Sequence, residues 1–304
     1  MKKAFVHIGA QKTASTFIQL NLKRHKQRLL DEHGLGLVTR SDMLQSEFCA
    51  EIYKVSQGEH PHTEVTPAAK ESIHALMPDE YDDVLITNEG LICRLEIRDF
   101  YQLAGSAVQY LQNVLADFDV HVIFYIRKQT DYLESVYTQL VHLGRRIKFP
   151  RFMLRAAKVD FSWLRAADAI NEVLQPGRLH LRTYEQIRNV GEVEYFRDFI
   201  SLCGADNAHT YDIDEGFSKG RSANRSYGEL GLKIARRVNP LLNPQERKLL
   251  RKFLQNNFST ATHPRAVLLS DEQREAVFRK YRESNRELFE RYDLAADGAA
   301  LGYF

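Results

Sequence analysis

The sequence predicts an α/β fold: a central, mostly parallel sheet flanked by helices, followed by a helical C-terminal third. Three observations carry this. Residues 5–8, 84–88 and 119–126 are short, β-branched and strongly apolar, as buried strands are, and small, polar or charged residues (Gly9, Glu89, Arg127) follow them directly. Segments with helical periodicity separate these runs. Finally, 304 residues at 44% hydrophobic content suffice for one large core, and no low-complexity linker interrupts them. The chain reads as one domain over 1–304, with an α/β core over 1–204 and a mainly helical extension over 205–304.

From the N-terminus, the first strand leads through a Gly-containing turn into a helix over about 15–30. Residues 35–39 form a short second strand. Residues 42–78 read as helical with a break at Gly58-Glu59-His60-Pro61-His62, whose two histidines lack a third ligand nearby. A helix over 100–115 joins the strand at 84–88 to the strand at 119–126. Thr130 or Asp131 can cap the helix that follows. Residues 161–174 form another helix, with Trp163 as core packing. Pro176-Gly177 then turns the chain into a strand over 178–185, and a helix over 193–203 follows. The last helices, 229–238, 244–255 and 271–292, carry dense mixed charge of the kind that stabilises solvated faces.

The chemistry begins at the first turn. An apolar run ends at Gly9, then Lys12 and the hydroxyls of Thr13, Ser15 and Thr16 precede an amphipathic helix. Such a strand–turn–helix aims the N–H groups and positive dipole end of a helix at one point, an anion site to which Lys12 adds a full charge. The turn is too short for a Walker A loop: only Ala10 and Gln11 separate Gly9 from Lys12. At the end of the 119–126 strand, Arg127 is followed eight residues later by Ser135, about two helical turns on. A guanidinium fork and a hydroxyl so spaced suit a single phosphate.

The run Lys12-Thr13-Ala14-Ser15-Thr16 resembles the Lys-Thr-Gly-Thr-Thr loop of the sulfotransferases that use 3′-phosphoadenosine 5′-phosphosulfate (PAPS). With His7-Ile8-Gly9 before it and Ile18-Gln19 after it, it looks like a soluble, bacterial branch of that family. The resemblance implies a P-loop-like three-layer fold. It implies a 5′-phosphosulfate held by Gln11, Lys12, Thr13, Ala14, Ser15 and Thr16. Ala14 stands where the family has Gly, and its Cβ is tolerable where the backbone is helical. By the same resemblance Arg127 and Ser135 hold the 3′-phosphate, although Gln129 replaces a frequent Pro. Tyr184 and Glu185, with the helix after them, extend the likeness to about two-thirds of the chain, and Tyr184 lies near the nucleotide. Ser218-Lys219-Gly220, with Arg221, echoes an Arg-Lys-Gly loop that closes on the 3′-phosphate.

In an open α/β sheet, ligands sit at the carboxyl ends of strands, so Gly9, Asn88 and Arg127 are expected to converge on one crevice. The resemblance implies a general base there. Glu89 is the candidate and His7, inside its strand, the rival. The implied reaction is in-line transfer of a sulfonate from PAPS, leaving PAP, to a hydroxyl or amine of a carbohydrate or small-metabolite acceptor. Lys12 would stabilise the charge that builds on the way. No metal is expected, because no Asp/Glu pair accompanies the anion loop. Two other functions stay open: an ATP-dependent kinase, which requires Mg²⁺, and a non-catalytic nucleotide-binding protein.

A net charge of +2 gives no global nucleic-acid footprint. Locally, Arg145, Arg146, Lys148, Arg151, Arg155 and Lys158 occur with no acidic residue among them, which suits either an anionic acceptor or a solvated basic face. Three cysteines (Cys49, Cys93, Cys203) without metal spacing suit a reducing cytoplasm. Met1-Lys2-Lys3 runs straight into the first strand, so no secretory leader is expected. No segment approaches the roughly 20 apolar residues of a membrane span. The expectation is therefore a cytoplasmic protein.

Overall fold

The computed structural model describes residues 1–93, 100–213, 226–294 and 296–304. In chain order the elements are β1 (Lys3–Gly9), α1 (Ser15–Arg24), α2 (Lys26–His33), β2 (Leu35–Thr39), α3 (Arg40–Met43), α4 (Glu47–Val55), α5 (Pro67–His74), β3 (Asp83–Thr87), α6 (Ala104–Val114) and β4 (Asp119–Ile126). They continue with α7 (Gln129–His142), α8 (Phe149–Ala156), α9 (Trp163–Asn171), β5 (Leu179–Thr183), α10 (Gln186–Leu202), α11 (Glu229–Val238), α12 (Pro244–Asn257) and α13 (Asp271–Arg291). The chain divides into two compact units. One comprises Met1–Arg127, Phe161–Ile213 and Arg282–Phe304; the other comprises Lys128–Asp160 and Asp214–Tyr281.

The first unit holds the sheet. Its five strands run in the order β2-β3-β1-β4-β5 and every pairing is parallel. Val6 pairs with Ile86 on one side and Val122 on the other, so β1 is central and β3 and β4 flank it. Each of these strands is buried along nearly its whole length, as strands covered on both faces must be. The chain leaves β1 toward β2 and leaves β4 toward β5 in the opposite direction. The β1/β4 edge is thus the topological switch point, where such sheets open a crevice. One core layer packs Phe199 against His7 and Tyr125. The other packs Trp163, fully buried, against Phe100, Tyr101 and Phe124. Truncating such a Trp to Ala would cost about 3–5 kcal/mol.

Three local expectations change. The helix expected over 15–30 is two helices, because His25 ends α1 while its ring sits between Phe196 and Tyr211 and reaches the Asp212 carbonyl at 2.8 Å. The helix after β5 begins earlier than 193 and is interrupted at Gly191, whose φ of 82° cannot continue a right-handed helix. Neither Thr130 nor Asp131 caps α7. Lys128 is the N-cap and Asp131 lies inside the first turn, where its charge favours the dipole and pairs with Arg274 at 3.4 Å.

In the second unit, Glu134 on α7 is buried and accepts hydrogen bonds from the Leu268 and Leu269 amides at 2.9 and 3.0 Å and from Arg274 at 3.2 Å. One carboxylate therefore holds the segment leading into α13.

Candidate active site

The turn after β1 is held from both sides. Gly9, at φ 112°, ends the strand, and a Cβ there would lie 3.1 Å from both the Gln11 amide nitrogen and the Glu89 carbonyl oxygen. Only glycine lets these two segments approach so closely. The Ala10 amide donates to the Tyr125 carbonyl at 2.8 Å, and Gln11 Nε2 donates to the Cys93 carbonyl at 2.8 Å. Thr13 is buried, and its hydroxyl donates back to the Ala10 carbonyl at 2.5 Å. Its side-chain proton closes the loop, which leaves its backbone N–H as the group that can face an anion.

Lys12 and Ala14 are both left-handed, at φ 70° and 62°. Ala14 therefore does not meet the condition, a helical backbone, under which its Cβ would be tolerated. It is the N-cap of α1 in the conformation glycine adopts without cost and other residues adopt at about 1–2 kcal/mol. An alanine N-cap has no oxygen to offer, and no side-chain cap is made at this helix start. Its first-turn donors, which have no intrahelical partner, lie with Lys12, Ser15 and Thr16 at the carboxyl edge of the sheet.

Arg127 follows β4 on the same edge and is buried. Its Nη1 donates to the Lys12 carbonyl at 2.7 Å, so the second motif residue braces the first motif's loop. Its guanidinium lies 4.4 Å from the centroid of the Tyr184 ring, a cation–π contact. Its own carbonyl accepts from Trp163 Nε1 at 2.7 Å, so the expected core Trp also fixes the backbone of this arginine. The Tyr184 amide donates to the Ile126 carbonyl at 2.8 Å and brings the end of β5 to the same edge. Next to it, buried Glu185 accepts from the Tyr303 hydroxyl at 2.6 Å, and the Tyr303 carbonyl accepts from Asn285 Nδ2 at 3.0 Å. Burial, then the neighbouring Glu185 charge, pushes the Tyr303 hydroxyl well above the usual phenol range.

On the other side of β1, the turn after β3 presents Glu89. The Asn88 amide donates to the His7 carbonyl at 3.0 Å, and the Asn88 side chain accepts from the Gly90 amide at 3.0 Å. The Glu89 carboxylate accepts from Gln19 Nε2 at 2.8 Å and pairs with Arg40 at 3.5 Å. Gln19 lies one helical turn beyond Ser15, on the same face of α1. That spacing was the available signal for its role; Arg40 had none.

His7 is fully buried. Its Nδ1 shares a hydrogen bond with Thr87 Oγ1 at 2.9 Å, and aromatic rings of Tyr125 and Phe199 meet it edge-on. Desolvation pushes its pKa down to about 3, so the ring is neutral. It packs one face of the sheet, whereas Glu89 stands at the carboxyl edge.

Ser135 lies half-buried on α7, in the second unit. Ser218, Lys219, Gly220 and Arg221 lie outside the described residues. Among the described residues no group of three or more His, Cys, Asp or Glu side chains could hold a metal, and no helix is long and apolar enough to cross a membrane.

No family model and no curated protein matches this sequence. Among solved structures, a sulfotransferase from Alicyclobacillus acidocaldarius matches with a TM-score of 0.51 at 10% sequence identity, over 99% of this chain and 99% of that one. A retinol dehydratase in complex with androsterone and the inactive cofactor PAP matches with a TM-score of 0.40 at 9% identity, over 98% of this chain and 84% of that one. The second likeness is too distant to carry weight. The first is one of fold, a parallel five-stranded sheet flanked by helices, shared along the whole chain.

Proposed function

We propose that this chain, on a fold shared with a sulfotransferase, moves a sulfonate from PAPS to a hydroxyl or amine of a carbohydrate or small-metabolite acceptor. The observation that carries this reading is the bond from Arg127 to the Lys12 carbonyl at 2.7 Å. It joins two motifs 115 residues apart that the sequence resemblance assigns to opposite ends of one nucleotide. PAPS, when bound, supplies the activated sulfonate and the PAP leaving group. The residues at the sheet edge fit such a polyanion: an uncapped helix start, the Lys12 ammonium and a buried guanidinium provide donors and positive charge.

In this reading the N–H groups of the 11–16 loop and Lys12 hold the phosphosulfate and stabilise charge developing at its oxygens. Fixed donors of this kind typically contribute 10²–10³ in kcat, by about one such donor each. Arg127, pressed on Tyr184, holds the 3′-phosphate. The resemblance adds Ser135 and the 218–221 loop as further phosphate ligands. Glu89 takes the acceptor's proton as its oxygen or nitrogen attacks, and Gln19 and Arg40 fix the carboxylate for that task. The whole chain, 1–304, acts as one catalytic domain. A cytoplasmic setting is supported by three cysteines that are all free thiols.

Glu89→Gln tests the assignment of the base. PAP affinity should stay within about twofold while PAP release from PAPS, assayed against a mixture of sugars and small alcohols, falls by about 10²-fold or more. Full turnover by this variant would remove Glu89 from the chemistry.

A further inference from the structure

The net charge of +2 conceals a strong asymmetry. The unit formed by 128–160 and 214–281 contains 21 Lys and Arg against 10 Asp and Glu, a net +11; the rest of the chain carries −9. The basic unit also exposes large apolar side chains. Leu241 is 82% exposed, Leu249 71%, and Leu143 and Phe253 54% each.

These residues belong to one neighbourhood. Asn239 Nδ2 donates to the Val141 carbonyl at 2.8 Å, and Arg146 donates to the Pro240 carbonyl at 2.8 Å. Arg247 Nε donates to the Leu242 carbonyl at 3.1 Å, and its guanidinium lies so near Gly144 that a Cβ there would come within 2.7 Å of it. The end of α7, the 239–242 turn and the start of α12 are thus tied together. Leu143 and Leu241 stand on the first two, and Leu249 and Phe253 follow along α12.

Pro240 and Pro244 bracket the Leu241 tip, and Asn243 and Glu246 form a capping box in which Glu246 accepts from the Asn243 amide at 2.8 Å. That contact commits the acidic residue of α12 to the helix start. The inner face of α12 buries Leu254 and Gln255. Leu249 and Phe253, one turn apart, occupy the middle of the outer face beside exposed Lys248 and Lys252.

Single exposed leucines need no explanation, but a row of them rimmed by cations does. A polysaccharide or nucleic-acid strand would satisfy the cations and leave Leu241 and Leu249 in water. An anionic bilayer satisfies both: its headgroups pair with Lys and Arg while the apolar tips enter the headgroup–acyl boundary. We propose that the Leu241 tip and the outer face of α12 form a peripheral attachment site for anionic lipid membranes. This is independent of the sulfonate-transfer reading and involves none of its residues.

The test is co-sedimentation of the full chain with vesicles of phosphatidylcholine alone, and of phosphatidylcholine with about one part in three phosphatidylglycerol. The full chain should bind the anionic vesicles and not the neutral ones, and raised salt should weaken binding. Leu241→Ser with Leu249→Ser, and separately Lys248→Glu with Lys252→Glu, should each weaken binding about tenfold or more at an unchanged melting temperature. These positions are exposed, so the variants should fold. Absence of vesicle binding, or equal binding to both compositions, would overturn the proposal. So would loss of binding in the charge variant with none in the leucine variant, accompanied by tight binding to soluble heparin, which would identify the surface as a polyanion site.

Discussion

Arg127 Nη1 donates to the carbonyl oxygen of Lys12 at 2.7 Å, while the Tyr184 ring lies 4.4 Å from the same guanidinium. One side chain thereby braces the anion loop, stacks on an aromatic and still belongs to the crevice edge. Lysine can supply the charge but not a planar fork that does several of these at once. Arg127→Lys should therefore weaken PAP binding by about 10–100-fold in a calorimetric titration, with little loss of fold stability.

Ala14 sits at φ 62°, where an L residue is strained by about 1–2 kcal/mol. Ala14→Gly removes that strain but adds about 0.4–1 kcal/mol of unfolded-state entropy. The strain is the larger effect, so the variant should melt about 1–3 °C higher. Ala14→Val, β-branched at the same φ, should melt lower than wild type.

Gln19 donates to Glu89 Oε2 at 2.8 Å. Gln19→Ala should lower kcat about tenfold and leave PAP affinity unchanged, because the lost contact orients the base rather than the nucleotide. Gln19→Glu places a second carboxylate against the first and should cost more. Equal losses in kcat and PAP affinity would assign Gln19 to the loop's structure instead.

His7 fixes part of the acid response. Its folded pKa, about 3, lies below the ordinary 6.5. Above about pH 6.5 neither state binds the proton; between 6.5 and 3 the unfolded chain binds it and the folded chain does not. Stability must then fall as pH falls through that window, by up to about 1.4 kcal/mol per unit. His7→Leu should flatten the dependence of melting temperature on pH below 6.5. His180, pushed down to about 4 by burial, leaves a second slope in the variant.

The sheet was legible because its strands are short apolar runs with clear ends: the 35–39 and 119–126 strands fall where β2 and β4 are. Convergence of Gly9, Asn88 and Arg127 on one edge followed from parallel strands alone, and β3 and β4 do flank β1. Long-range contacts left no local trace. Nothing in the sequence near Glu185 points to Tyr303, 118 residues away, or near Glu89 to Arg40. The left-handed Ala14 was hidden for the opposite reason: alanine's propensity argues for helix, and the loop's tethers override it.

Thermal shift with PAP, beside ADP and ATP–Mg²⁺, on wild type and Arg127→Ala decides whether the crevice is built for PAPS. A ligand at about 100 times its Kd adds roughly 2.7 kcal/mol, a shift of several degrees. A PAPS site requires selective stabilisation by PAP that Arg127→Ala abolishes. Stabilisation by ATP–Mg²⁺ and not by PAP would contradict it and make the chain a nucleotide-triphosphate enzyme.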